Sequence, residues 1–243
     1  GSRLASCSDD KRISIWSYDI PTKKVFQEII FIAHNSFINK VISLHDGNFA
    51  SCSEDKCIYI WNSSPPYEKK CELIGHLSEV TSIIQLKNKK IISTSSKHNQ
   101  GVLKIWTINS IEINKGNVEY KIIKQETMND VFCYCINSLV EINDNKIAVG
   151  GYRIIKIVNI NTKQIILNIK CHNSLISAMT VINDGTIVAA SEEGNLAFIN
   201  KINYRFLEFI EFAHDMIIFS LCCLDDNTLC SAAKDGVIKV WNY

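Results

Sequence analysis

The sequence predicts an all-β protein assembled from one repeated unit, and three observations predict it. The four tryptophans stand at positions 16, 61, 106 and 241, separated by 45, 45 and 135 (three times 45) residues. Each closes the same phrase: ISIW at Ile13–Trp16, IYIW at Ile58–Trp61, LKIW at Leu103–Trp106 and IKVW at Ile238–Trp241. Four of the six histidines, His34, His76, His172 and His214, lie 27, 30, 27 and 27 residues before Trp61, Trp106, Ile199 and Trp241. A rare residue recurring with one period and one local context marks a repeated structural unit, and a period near 42 with β-rich segments points to an array of small sheets.

Each element of the unit is legible. Two apolar runs separated by a turn follow each histidine, as in INKVISL–HDGN–FASCS and ISAMTV–INDG–TIVAAS. Asp-Gly supplies the positive backbone angles of a hairpin turn. A third strand carries the tryptophan phrase. Two cycles without tryptophan fit between 106 and 241, ending in KIVNI at Val158–Asn159 and LAFIN at Ile199–Asn200. A fourth segment closes each unit: KVFQEIIF, YEKKCELI, EYKIIKQ, QIILNIK and FLEFIEF. These alternate charge with bulk, which predicts half-exposed outer strands. Six inner strand pairs are expected at about 3–17, 48–62, 90–107, 146–159, 186–200 and 228–242.

With these residues in view, the chain resembles the WD40-repeat family, whose period and Gly-His…Trp-Asp signature match over its whole length. Only Gly75-His76 keeps the literal Gly-His, and the Asp of Trp-Asp is replaced by Ser17, Asn62, Thr107 and Asn242. The resemblance implies a β-propeller of six four-stranded blades in a single domain over residues 1–243. Its seam is incomplete, lacking one outer and one inner strand. About 25 upstream residues would close a six-bladed ring and about 65 would make seven blades.

The resemblance also implies a buried tetrad in each blade: the early His, a Ser or Thr, a turn Asp and the Trp. The second repeat supplies His34, Ser51, Asp55 and Trp61, and the last supplies His214, Ser231, Asp235 and Trp241. In both, the spacings are 17, 4 and 6 residues. The first repeat supplies Ser6, Asp10 and Trp16. The chemistry suits the set, since indole only donates, hydroxyl does both, neutral imidazole relays and carboxylate accepts. A Ser/His/Asp set also suits a hydrolase, but its recurrence in successive repeats favours a structural role. The third repeat has SSKHNQG in place of the acidic turn. The fourth has Phe132 in place of His, and the fifth has Ala189, Glu193 and Ile199. These middle blades are expected to rely on apolar packing and to be less rigid.

Composition narrows the function classes. Lys+Arg of 26 against Asp+Glu of 25 gives no net field to attract nucleic acid or an anionic membrane. The basic stretch Lys87–Lys90 reads as a solvated turn. No apolar run reaches the length of a membrane span, and no signal peptide opens the chain. Ten cysteines occur without a CxxC pair, which predicts buried free thiols, no metal and a reducing compartment, the cytoplasm or nucleus. Cys133, Cys135, Cys222 and Cys223 fall in expected first strands.

The resemblance implies a non-catalytic platform for a protein or peptide, without cofactor and as part of a larger chain or complex. Aligning the repeats places two positions after each histidine at the rim of one face: Phe37 and Asn39, Glu79 and Thr81, Cys135 and Asn137, Leu175 and Ser177, Ile217 and Phe219. Asp9, Glu54, Glu192 and Lys234, which precede the turn acid, join them. Such mixed apolar and acidic rims suit partner binding. A substrate receptor of a ubiquitin ligase and a reader of basic peptides through Asp9, Glu54, Glu79 and Glu192 are the alternatives. Catalysis would have to use His45-Asp46, Cys171-His172 or Glu192-Glu193, each at an expected turn or tetrad position. No phosphate loop, nucleophile elbow or metal-ligand spacing accompanies them.

Overall fold

The computed structural model describes every residue except 1, 98, 99, 115, 116, 133, 134, 144, 226 and 227. The side chains of 2, 97, 111–114, 117, 118, 130 and 132 likewise lie outside the described set, and with them Phe132, Cys133 and the His98-Asn99 turn discussed above. The described residues are all-β, without a helix, and every ladder is antiparallel. The chain divides into two compact units, residues 1–97 with 102–127, and residues 98–101 with 128–243.

In the first unit, β1 (Ser2–Cys7), β2 (Arg12–Asp19) and β3 (Lys24–Ile32) form a three-stranded sheet. A four-stranded sheet follows, made of β4 (Ile38–Ser43), β5 (Phe49–Ser53), β6 (Ile58–Trp61) and β7 (Lys69–Leu73). The next contains β8 (Val80–Gln85), β9 (Ile91–Lys97), β10 (Gln100–Asn114) and β11 (Asn117–Phe132). β5, β6 and β9 are Ile, Ala, Ser and Thr-rich and buried on both faces, so they read as continuous small or apolar runs. Two cores hold the unit together. One gathers Ile13, Ile15, Ile38, Phe49, Tyr59 and Trp61, and the other gathers Ile58, Ile60, Leu73, Ile83, Ile91 and Trp106.

The second unit contains β12 (Ser138–Asn143), β13 (Lys146–Gly150), β14 (Tyr152–Asn159), β15 (Gln164–Val181), β16 (Ile187–Ser191), β17 (Leu196–Ile199) and β18 (Phe206–Ile210) in one sheet. It ends with β19 (Ile218–Asp225), β20 (Thr228–Ala233) and β21 (Ile238–Asn242). β15 serves both as the outer partner of β14 and as the first strand beside β16, which fuses two four-stranded repeats.

The turn between second and third strands is built alike in the first, second, fifth and last repeats. Lys11, Lys56, Gly194 and Gly236 all take left-handed angles there, with φ of 70, 74, 80 and 78°. Lysine tolerates this at a modest cost. Only glycine fits at 194, because a Cβ there would lie 2.0 Å from the His214 carbonyl oxygen.

The outer strands depart from the expected alternation. In β3 nearly every side chain is exposed, including Val25, Phe26, Ile29 and Ile30, and β18 likewise exposes Phe206, Leu207 and Phe209. The cysteine expectation also needs correction. Cys222 and Cys135 are exposed rather than buried, and Cys135 precedes β12 instead of lying in a strand. Cys52 on β5 and Cys171 on β15 are buried, as small apolar thiols often are.

Candidate binding surface

The surface is built on hydrogen-bonded interiors. In the second repeat, the Trp61 Nε1–H donates to Ser51 Oγ at 2.8 Å, and Ser51 Oγ lies 2.7 Å from His34 Nε2. His34 Nδ1 lies 2.9 Å from Asp55 Oδ2. Only one direction satisfies every atom: indole to hydroxyl, hydroxyl to Nε2, Nδ1–H to carboxylate. His34 is thereby assigned as neutral, with its proton on Nδ1. Burial lowers its pKa more than Asp55 raises it. Asp55 also accepts the amides of Asn35 (3.0 Å) and Cys57 (3.1 Å). Burial pushes its pKa up, but these amides and the imidazole outweigh it and hold the carboxyl below its usual value.

The last repeat has the same arrangement. Trp241 donates to Ser231 at 2.8 Å, Ser231 meets His214 Nε2 at 2.7 Å and Asp235 meets His214 Nδ1 at 2.8 Å. In the first repeat Trp16 donates to Ser6 at 2.8 Å, while Asp10 accepts the Arg12 amide at 2.9 Å and shapes its own turn.

The third repeat corrects the expectation of an interior held by apolar packing alone. Trp106 donates to Ser93 (2.7 Å), Ser93 meets His76 Nε2 (2.6 Å), and Ser95 takes the place of the acid at His76 Nδ1 (2.7 Å). A hydroxyl cannot stabilise a charged imidazole as a carboxylate does, so burial pushes the His76 pKa down to about 3. The fifth repeat is different. His172 Nε2 donates to the Ala189 carbonyl at 3.1 Å, and its buried Nδ1 has no partner among the described residues. Glu193 turns outward to the Asn195 side chain.

Above these interiors, one hydrogen bond recurs. The Glu54 amide donates to the Phe37 carbonyl (3.0 Å), the Glu192 amide to Leu175 (3.0 Å) and the Lys234 amide to Ile217 (2.9 Å). Each clasp joins the residue before the turn acid to the residue three after the histidine. The side chains on the clasps remain accessible. Phe37 is 44% exposed, Glu192 and Lys234 are exposed, and Glu54, Leu175 and Ile217 are half-buried.

The positions two residues further on behave differently. Asn39 donates to the Val80 carbonyl, Thr81 to Thr94 and Ser177 to the Ala190 carbonyl. Their polar groups serve the scaffold. Phe219, 61% exposed, is the open member of that set. Asn137 donates its backbone N–H to the Gly150 carbonyl.

In the first unit Glu54 lies within reach of two other acids, Glu79 and Asp9. The Glu54 carboxyl is raised first by burial, then by the charges of Glu79 and Asp9. Leu77, 85% exposed, is an open side chain beside the histidine that the alignment missed, since it directly follows the histidine rather than lying three residues on.

The catalytic candidates have structural employment. Asp46 accepts the Tyr120 hydroxyl and the Asn48 amide. Burial raises the Cys171 thiol to about 12, which is unsuited to a nucleophile. Among the described residues, no group of three or more His, Cys, Asp and Glu is placed to hold a metal ion.

Comparison with known proteins agrees with this construction. The family model described as "WD domain, G-beta repeat" matches residues 1–17, 26–62 and 207–242. These stretches hold the Trp16, Trp61 and Trp241 phrases and are similar to WD40 repeats. The crystal structure of the computationally designed Ika8 protein is similar in fold, with a TM-score of 0.70 and 21% identity. That likeness covers 100% of this chain and 69% of the designed one. No curated protein matches the chain. WD40 repeats generally mediate protein–protein interactions and are typically non-catalytic.

Proposed function

We propose that the chain is a non-catalytic platform that binds a protein or peptide on the clasp-bearing face of its repeats, and that these repeats are six blades of a β-propeller. The observation that supports it is the recurring clasp. The same backbone hydrogen bond presents a different pair of side chains in each of three repeats: Phe37 with Glu54, Leu175 with Glu192, Ile217 with Lys234. Variable side chains on a rigid scaffold let one fold recognise many partners. Exposed aromatic and aliphatic groups supply the anchors that dominate binding energies.

A second reading, a preference for basic peptides, has its own support in the first unit. The Glu54 carboxyl is raised first by burial and then by the charges of Glu79 and Asp9, and a lysine or arginine placed among them would offset that repulsion.

The test is capture of partners by the wild-type chain, by Phe37→Ser, by Phe219→Ser and by the outer-strand variant Glu208→Lys, after matching their melting temperatures. A Phe anchor near the centre of an interface contributes about 2 kcal/mol or more, roughly 30-fold in affinity. The reading fails if both Phe variants keep every partner while Glu208→Lys loses them, which would place binding on the outer strands.

A further inference from the structure

We propose that Cys222 and Cys230 form a redox-responsive dithiol, which a low-molecular-weight disulfide such as glutathione disulfide converts to a cross-strand disulfide. The two residues are direct partners in the β19–β20 ladder. The equivalent pairs in other repeats are Ile42 with Ala50, Ile84 with Ile92, and Thr180 with Val188. Among these pairs and Val140 with Ala148, the Cys222–Cys230 pair alone carries two sulfurs. Cys222 is exposed and Cys230 half-buried, so a soluble oxidant can reach them.

Direct partners in an antiparallel ladder have Cα atoms about 4.5–5.5 Å apart, inside the 4.4–6.8 Å range that a disulfide spans. Their Cβ atoms are typically about 4.5–5.5 Å apart, slightly wider than the mean of about 3.8 Å in a relaxed bridge. The strands must therefore draw together, and the bond they form is readily reversed. The thiols already interact. Burial raises the Cys222 thiol first, and a hydrogen bond and charge from Cys230 raise it further. Cys223, although adjacent in sequence, alternates to the other face of β19. Its sulfur meets the Tyr243 hydroxyl at 3.2 Å and the Asp225 carbonyl at 3.0 Å.

The reaction balances as thiol–disulfide exchange. Cys222, exposed unlike the buried Cys171, keeps a small thiolate population although its pKa is raised. That thiolate attacks one sulfur of the small disulfide and releases one thiol. Cys230, deprotonated in turn, attacks the Cys222 sulfur, forms the Cys222–Cys230 bond and expels the second thiol. Two electrons pass to the oxidant, and the two protons lost by the cysteines appear on the released thiols.

The experiment treats the folded, reduced full chain with glutathione disulfide over a series of glutathione ratios. Thiols are then counted, and the protein is digested at the aspartates between Cys222 and Cys230 without reduction. Two fewer thiols, a linked Cys222–Cys230 peptide, loss of that link in Cys222→Ser and Cys230→Ser, and its retention in Cys223→Ser are expected. A lasting glutathione adduct on Cys222 or Cys230, a bond to Cys223, or an unchanged thiol count would each overturn the proposal.

Discussion

The second and fifth repeats place a histidine and an acid 21 residues apart, yet they build opposite interiors. In the second, Ser51 gives His34 Nε2 a hydrogen, so Nδ1 keeps its proton and delivers it to Asp55. In the fifth, Ala189 offers only a backbone carbonyl, so Nε2 must carry the proton and Nδ1 is left bare. The change from Asp to Glu removes the other half of the device. Asp55 reaches inward and also draws the Asn35 amide out of the ladder, and the chain breaks between β3 and β4. Glu193 bonds Asn195 at the turn instead, and β15 continues through His172 without a break. One hydroxyl thus decides which nitrogen carries the proton, and the Asp-to-Glu change decides whether an acid reaches the imidazole.

The sharpest way to break this comparison is Asp55→Ala. It strands the His34 Nδ1–H and the amides of Asn35 and Cys57, so a loss of about 2–4 kcal/mol is expected from denaturant midpoints. Glu193→Ala, which removes only an exposed contact, should cost less than about 0.5 kcal/mol. Equal midpoints for the two variants would remove the distinction.

Acid provides the next largest effect. His34, His76 and His172 are all held below their ordinary pKa, His76 at about 3 against 6.5. The unfolded chain then binds more protons than the folded one between those values, so stability is full above about pH 6.5 and falls as the pH drops towards 3. Each such group contributes up to roughly tenfold in the folding constant per pH unit. His76→Gln should flatten the pH dependence of the first unit, measured from urea midpoints at several pH values. A slope identical to wild type would show that His76 does not titrate on unfolding.

The smallest effect is the most diagnostic. Ala189→Ser with Glu193→Asp should convert His172 to the His34 tautomer, each change being nearly neutral alone. The pair is expected to couple favourably by about 0.5–1.5 kcal/mol in a double-mutant cycle. Strict additivity would mean that the bare Nδ1 is satisfied in some other way.

Strand positions were readable because they follow from local spacing. The phrases ISIW, IYIW, LKIW and IKVW fall on β2, β6, β10 and β21, since alternation of apolar and polar groups is a property of successive residues. The rescue of His76 by Ser95 was not readable. Ser95 lies within a run of serines and threonines, and nothing local distinguishes the hydroxyl that faces the imidazole. Leu77 escaped for a related reason: exposure depends on what the rest of the chain covers, and its neighbours in sequence do not report it.

The sequence by itself determined the repeat and its strands, because alternation and spacing along a β-strand are local properties. Its resemblance to WD40 repeats implied the Ser51–His34–Asp55 and Ser231–His214–Asp235 sets. Tertiary structure alone decided which imidazole nitrogen carries the proton and which cysteines face water. It also decided which rim side chains spend their hydrogen bonds on the scaffold, as Asn39 and Ser177 do, and which stay open, as Phe37 and Phe219 do. Those outcomes depend on the groups that neighbouring strands bring opposite each side chain, and hydrogen bonding and burial act between partners that are distant along the chain.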